Sequence, residues 1–296
     1  MTALPALSWD VEGRDWPNRD ASNFCLAGGL RWHVQRAGRG PSLLLLHGTG
    51  ASTHSFRELL PALALHFDVV APDLPGHGFT ARPEDPQAMS LPGMAQALGD
   101  LLQMFDVAPR IVVGHSAGAA LLVRLALDGV IEPAAIVSLN GAMLPMVGLR
   151  HPLFSSLVRG IVGADWVARR FAAGMDEPGG FERLMRGTGS DLDATGIALY
   201  RRLSSTPAQV SAALAMMGRW DLRPIERDLP RLAVPLLLVT GARDRMILPG
   251  EAVKVRALVR SARIEQLADA GHLAHEEHPR RIAALIEDFA RHQGVI

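Results

Sequence analysis

Short unbroken apolar runs alternate with longer segments of helical period, and this alternation constrains the chain more than any single residue does. "SLLLLHG" at 42–48, "FDVVAPD", "RIVVGHS", "AAIVSLNGA", "VPLLLVTGARD" and "ARIEQLADAGH" each read as a strand. A strand without polar alternation is covered on both faces. Between these runs lie helical patterns near 53–65, 91–105, 117–128 and 250–259, and a closing helix begins at Pro279, a residue suited to a first helical turn. This repetition predicts an α/β fold with a mostly parallel eight-stranded sheet flanked by helices. Its first two strands come from "FCLAGGLRWHVQRAG", turning at Gly28 and Gly29. The stretch 145–231 breaks the pattern. Its apolar-periodic pieces, separated by Gly and Pro, read as a helical cap inserted before the penultimate strand. The expected organisation is a strap at 1–21, a core at 22–144 and 232–296, and the cap at 145–231.

At 296 residues the chain can bury a core without staples. Its 30 basic and 30 acidic side chains cancel, leaving no field that would favour nucleic acid. Cys25 is the one cysteine, so an intramolecular disulfide and a Cys-rich metal site are both excluded and a reducing compartment is expected. The N-terminal stretch lacks a basic region and its apolar run is broken by Pro5, unlike a signal peptide. No run is long enough to span a bilayer, so the expected location is cytoplasmic, with peripheral attachment the strongest membrane association open to the chain.

An uncharged serine hydroxyl is a weak nucleophile and needs a base within reach and a carboxylate to orient that base. Gly114-His115-Ser116-Ala117-Gly118 is G-x-S-x-G set where "RIVV" gives way to "AALLVRLAL", and its glycines allow the sharp turn that exposes Ser116. Asp244 follows "LLLVTGAR" and His272 follows "IEQLADAG", so nucleophile, acid and base would be Ser116, Asp244 and His272 in chain order. Asn140 ends the preceding strand but is no carboxylate, which leaves the acid to Asp244. Oxyanion donors are expected from the Ala117 amide and from Thr49 in "HGTG", where Gly48 and Gly50 admit the backbone to the site. His47 is expected to brace that loop, and "DLPGHGFT" at 73–80, with His77, to shape the pocket rim.

The blocks "LLLLHGTG", "APDLPGHG", "VVGHSAGA", "LLLVTGARD" and "GHLAHEEHP" resemble the α/β-hydrolase superfamily over about residues 22–296. More narrowly, "VEGRDWPNRDAS", "GLRWHVQRAG", "HGTGASTHSFRELLP", "SLPGMAQAL", "LNGAMLP" and "MMGRWDL" are similar to the α/β-hydrolase-fold magnesium-chelatase accessory proteins of bacteriochlorophyll biosynthesis, the BchO type. The first resemblance implies an α/β-hydrolase fold and a serine hydrolase acting on an ester or related acyl bond. The second implies a tetrapyrrole pathway in a photosynthetic bacterium, with a tetrapyrrole as the small-molecule substrate and magnesium chelatase as a partner. Two functions stay open: hydrolysis of a large apolar substrate, or non-catalytic binding of a tetrapyrrole or the chelatase. Neither calls for a cofactor, and there is no carboxylate cluster dedicated to a metal ion.

Some secondary expectations can be checked directly. His275 and His278 read as solvated helix-start residues, and His115 as pointing away from Ser116 along the turn. In the strap, Trp16 is expected to pack while Arg14 and Arg19 stay solvated. In the cap, Leu153, Leu157 and Ile161 share a helical face apart from Arg159 and Arg169. Met143, Met146, Met175, Met185, Met216 and Met217 would suit either a cap core or an adaptable apolar pocket.

Overall fold

A computed structural model describes residues 4–145 and 165–296. Among them, β1 (Ser22–Ala27), β2 (Leu30–Ala37), β3 (Ser42–Leu46), β4 (Asp68–Pro72), β5 (Ile111–His115), β6 (Ala135–Leu139), β7 (Leu236–Gly241) and β8 (Ala262–Leu267) form one sheet in the order β1-β2-β4-β3-β5-β6-β7-β8. Strand β2 is antiparallel to both neighbours, and the pairings from β4 through β8 are parallel. The order places the carboxyl ends of β3, β5, β6 and β7 side by side, which is where an open parallel sheet presents its ligand site.

Leucines of β3 alternate between the two faces of the sheet, as the period of a strand requires. Leu44 and Leu46 pack with Val112, Leu98 and Leu121 on one side, and Leu43 and Leu45 with Val113, Leu60 and Ile286 on the other. Each fully buried leucine contributes about 1.5–3 kcal/mol relative to exposure. Covering the faces are α1 (Leu59–Leu63), α2 (Leu91–Met104) and α3 (Ala117–Leu127). Ser90 caps α2, its hydroxyl accepting from the Gly93 amide at 3.3 Å.

Between β6 and β7 in the chain come α4 (Asp165–Asp176), α5 (Gly180–Thr188), α6 (Ala194–Ser204), α7 (Pro207–Arg219) and α8 (Arg223–Asp228); α9 (Gly250–Leu258), α10 (Ala274–Glu277) and α11 (Pro279–His292) complete the described helices. Pro279 opens α11, which buries Ile282, Ala283, Ile286, Phe289 and Ala290 on one stripe.

The helix expected over 53–65 is instead a 3-10 turn, Thr53–Phe56, followed by the short α1. Pro61 explains the break, because it has no N–H and its ring would collide with the carbonyl of Arg57 in a continuous helix. The strap packs as expected. Trp16 is buried and donates Nε1–H to Thr53 Oγ1 at 3.2 Å, while Arg14 and Arg19 are exposed. Arg19 also lies 4.4 Å over the Trp9 ring, and a bidentate Arg202–Asp15 pair at 2.7 and 2.8 Å joins the strap to α6.

Met143, Met175, Met185 and Met216 are buried, whereas Met217 is exposed on the far side of α7. Leu153, Leu157, Arg159, Ile161 and Met146 lie outside the described residues. Among the described residues, no helix is long and apolar enough to cross a membrane.

Candidate active site

Ser116 stands between the end of β5 and the start of α3 with φ 51 and ψ −117, a conformation rare for a side-chain-bearing residue. Holding a non-glycine residue there costs on the order of 1–3 kcal/mol, so the surroundings must over-determine the turn. They do. The Ser116 amide donates to Leu139 O at 2.9 Å, and its carbonyl accepts from Ala142 N at 3.0 Å, tying the turn to the end of β6. A Cβ on Gly118 would lie 2.4 Å from Leu46 O, and one on Gly114 would lie 2.5 Å from Ala119 N. Both glycines therefore serve the tight seating of α3 on β3 and β5.

Asp244 lies just past β7 and His272 in the loop beyond β8, and both are buried. His272 Nδ1–H donates to Asp244 Oδ2 at 2.9 Å. The other carboxylate oxygen accepts the amides of Met246 and Ile247 at 2.8 and 2.9 Å, so the acid is orientated by its own turn.

Asn140 has a part that sequence reasoning did not find. Its amide donates to Asp244 Oδ2 at 2.7 Å and to Gly271 O at 3.3 Å, linking the carboxylate to the residue before His272. His115 likewise does not simply point away along the turn: its Nε2–H donates to His272 O at 2.9 Å, which holds the histidine loop against the residue preceding Ser116. The two contacts join residues 104 and 157 positions apart, a separation that leaves no local trace in a sequence.

"HGTG" forms a turn in which Ala51 N donates to Gly48 O at 3.1 Å, with Gly50 at φ 76 as its third residue. His47 accepts the Leu74 amide on Nε2 at 2.8 Å, which leaves Nδ1–H to donate to Gly48 O at 2.8 Å. Burial holds the His47 pKa below its usual value.

A Cβ on Gly48 would come within 2.9 Å of Ser116 Cβ, so the Thr49 loop runs directly beside the Ser116 turn. Ala117 opens α3, where a helix leaves its first amides without internal partners. The neighbouring 73–80 loop is pinned by Asp73, which accepts from His33 Nδ1–H at 2.7 Å and from the Phe79 and Thr53 amides at 2.9 and 2.7 Å. Burial would raise the pKa of Asp73, but His33 and these donors hold it at about 2. His77 in the same loop is driven down to about 3 by burial.

His275 is fully buried, contrary to the solvated position expected for it. Its ring packs 4.5 Å from His115 and 5.5 Å from Phe56, because the turn into α10 folds back over the sheet core. Burial lowers its pKa to about 3. His278 is partly exposed at the start of α11. Next to His275, the Glu276 carboxylate pairs with Arg57 and accepts from Tyr200 OH at 2.7 Å, and Arg57 also reaches Asp193 at 2.9 Å. Burial raises the Glu276 pKa, with Arg57 and Tyr200 pulling the other way. This network ties the 53–58 segment, α10 and α6 together. Among the described residues no group of histidine, cysteine and carboxylate side chains is arranged to hold a metal ion.

Residues 41–279 match the family model of the alpha/beta hydrolase fold. The chain belongs to the α/β-hydrolase family. This α/β-hydrolase is 36% identical over 292 residues to the magnesium-chelatase 30 kDa subunit of Rhodobacter capsulatus, covering 97% of this chain and 98% of that one. It is 27% identical over 274 residues to the pimeloyl-[acyl-carrier protein] methyl ester esterase of Xanthomonas oryzae pv. oryzae, covering 87% and 98% of the two chains. Among solved structures, a putative aryl esterase from Burkholderia cenocepacia superposes with a TM-score of 0.75 at 24% identity, covering 92% of this chain and 98% of its own. The fold and a hydrolase-type framework are therefore common to this chain and its relatives.

Proposed function

We propose that the protein is a serine hydrolase cleaving an ester or related acyl bond, with Ser116 as nucleophile, His272 as general base and acid, and Asp244 as the group that orients the imidazole. The observation that carries this reading is the 2.9 Å bond from His272 Nδ1 to Asp244 Oδ2, in a loop fastened by His115 to the strained turn of Ser116. With Nδ1–H donated to the carboxylate, Nε2 of His272 is free to take the Ser116 Oγ proton as oxygen attacks the acyl carbon. The oxyanion would be met by the amides of Thr49 and Ala117, each such donor typically being worth about 10²–10³ in rate. His272 then returns the proton to the leaving group, and water releases the acyl chain by the same steps in reverse. The chemistry needs no cofactor. The length of the insertion and its methionines, of which Met175, Met185 and Met216 are buried, favour a large apolar substrate. The same reading divides the chain into a strap (1–21), a core (22–144 and 232–296) and a cap (145–231).

The 36% identity to a protein named as a magnesium-chelatase subunit supports a biological setting in magnesium-porphyrin and bacteriochlorophyll synthesis, acting in the cytoplasm or at a membrane surface. It also favours a second reading, in which the protein binds a tetrapyrrole or the chelatase without catalysis. Two measurements separate the readings. Incubation of the purified protein with esterified magnesium-porphyrins, beside Ser116→Ala, reveals a mass change only if the serine acts on them. Complementation of a pigment-deficient strain by Ser116→Ala, to the wild-type level, would establish the binding role and remove the hydrolytic one.

A further inference from the structure

Helix α7 lays one stripe across both glycine-rich loops of the site. Gln209, Ala212, Ala213 and Met216 follow the i, i+3, i+4, i+7 spacing of a single helical face. Ala212 Cβ would be 2.9 Å from a Cβ on Gly76, and Ala213 Cβ 3.8 Å from one on Gly50, so small residues on one side and glycines on the other allow the close approach. Met216 Sδ accepts from Thr49 Oγ1 at 3.5 Å. Gln209 is 4% exposed and uses both ends of its amide: Nε2–H donates to Ala51 O at 3.2 Å, and Oε1 accepts from Gly78 N at 2.8 Å.

These contacts fall at a particular place. Ala51 closes the Gly48–Ala51 turn that carries the Thr49 amide, and the other corner of that turn is held by His47 through Gly48 O. The turn is thus fixed at its entry from the core and at its exit from an inserted helix.

We propose that Gln209 is a positioning residue that sets the oxyanion loop, so that the donor geometry of Thr49 depends on α7. This rests on the serine-hydrolase reading. A buried glutamine with both amide ends matched to main-chain groups of two separate loops restricts the loops relative to each other, whereas the alanines beside it supply only packing. Its effect would be felt where negative charge develops on the substrate and not where the acyl chain is bound.

The test is steady-state hydrolysis of short p-nitrophenyl esters by the full chain carrying Gln209→Met or Gln209→Glu, with thermal unfolding measured in parallel. The first variant removes both hydrogen bonds while keeping an unbranched side chain. The second keeps an acceptor for Gly78 but loses the donor to Ala51, and it decides the matter if the first does not fold. A fall of tenfold or more in kcat with KM within twofold is expected for each folded variant. The inhibition constant of a trifluoromethyl ketone, which forms a tetrahedral adduct with the serine, should rise by the same factor. A merely structural role would not separate this analogue from ground-state binding. A folded variant with wild-type kcat and unchanged affinity for the ketone overturns the inference alone. A wild type that neither hydrolyses the esters nor binds the ketone removes the hydrolase reading, and the inference with it.

Discussion

Replacing His275 should make the protein more resistant to acid. The His275 ring is wholly buried among His115 and Phe56, and both ring nitrogens lack a hydrogen-bond partner in the structure. Burial, with a smaller contribution from His272 and Arg57, takes its pKa from 6.5 to about 3. The folded-state value is depressed, so the folded protein keeps this histidine neutral while the unfolded chain protonates it below pH 6.5. Its contribution is therefore retained above pH 6.5 and lost as pH falls towards 3, at up to about 1.4 kcal/mol per pH unit. Between pH 7.5 and pH 5.0 only the interval below 6.5 counts, which corresponds to about 2 kcal/mol. His275→Leu fills a similar volume without a titratable group and forfeits no hydrogen bond. Urea unfolding of both proteins at the two pH values gives the test. The stability of the variant relative to wild type should improve by about 2 kcal/mol on going from pH 7.5 to pH 5.0. An unchanged difference would refute the assignment of a neutral, buried His275.

Three further outcomes follow from the contacts around the site. Asn140→Leu leaves Asp244 Oδ2 without its amide partner, and a lost hydrogen bond to a charged group costs about 1.5–3 kcal/mol, so kcat/KM for a p-nitrophenyl ester should fall by roughly one to two orders of magnitude. Gly118→Ala drives a Cβ to 2.4 Å from Leu46 O and should lower the unfolding temperature sharply, or abolish soluble expression, whereas Gly187→Ala, in α5 with nothing within 4 Å, should cost much less. Arg57→Met strands the buried Glu276 carboxylate and should destabilise by about 3–5 kcal/mol, while the double change with Glu276→Leu should recover most of that loss, as read by chemical denaturation.

Much of this architecture is legible in the chain because the parallel strands β3 to β7 are buried on both faces. "SLLLLHG" and "RIVVGHS" carry no polar alternation, and the residues that end such runs lie together at the carboxyl edge of the sheet. That logic placed Ser116, Asp244 and His272 at neighbouring strand ends, and the fold brings the last two into contact. The residues that hold them in place left no comparable signal. Asn140 at the end of β6 looked like a failed acid, because its value lies in donating to an acid 104 positions away. Gln209 is one polar residue in an amphipathic helix, and only folding shows that its two partners are main-chain groups of separate loops. His275 looked solvated because histidine is polar and sits near a helix start, but the chain doubles back there onto apolar surface. The break ahead of α1 could have been read from Pro61; the amphipathic spacing around it concealed the interruption.

Intact-protein mass spectrometry after reaction with a fluorophosphonate probe tests the proposed nucleophile most directly. The account predicts a single adduct on the wild type, mapped to Ser116 by peptide sequencing. Labelling should be abolished by Ser116→Ala and slowed by His272→Ala by several orders of magnitude. A folded wild type that stays unlabelled while a control serine hydrolase reacts in the same tube, or an adduct that persists in Ser116→Ala, would contradict it.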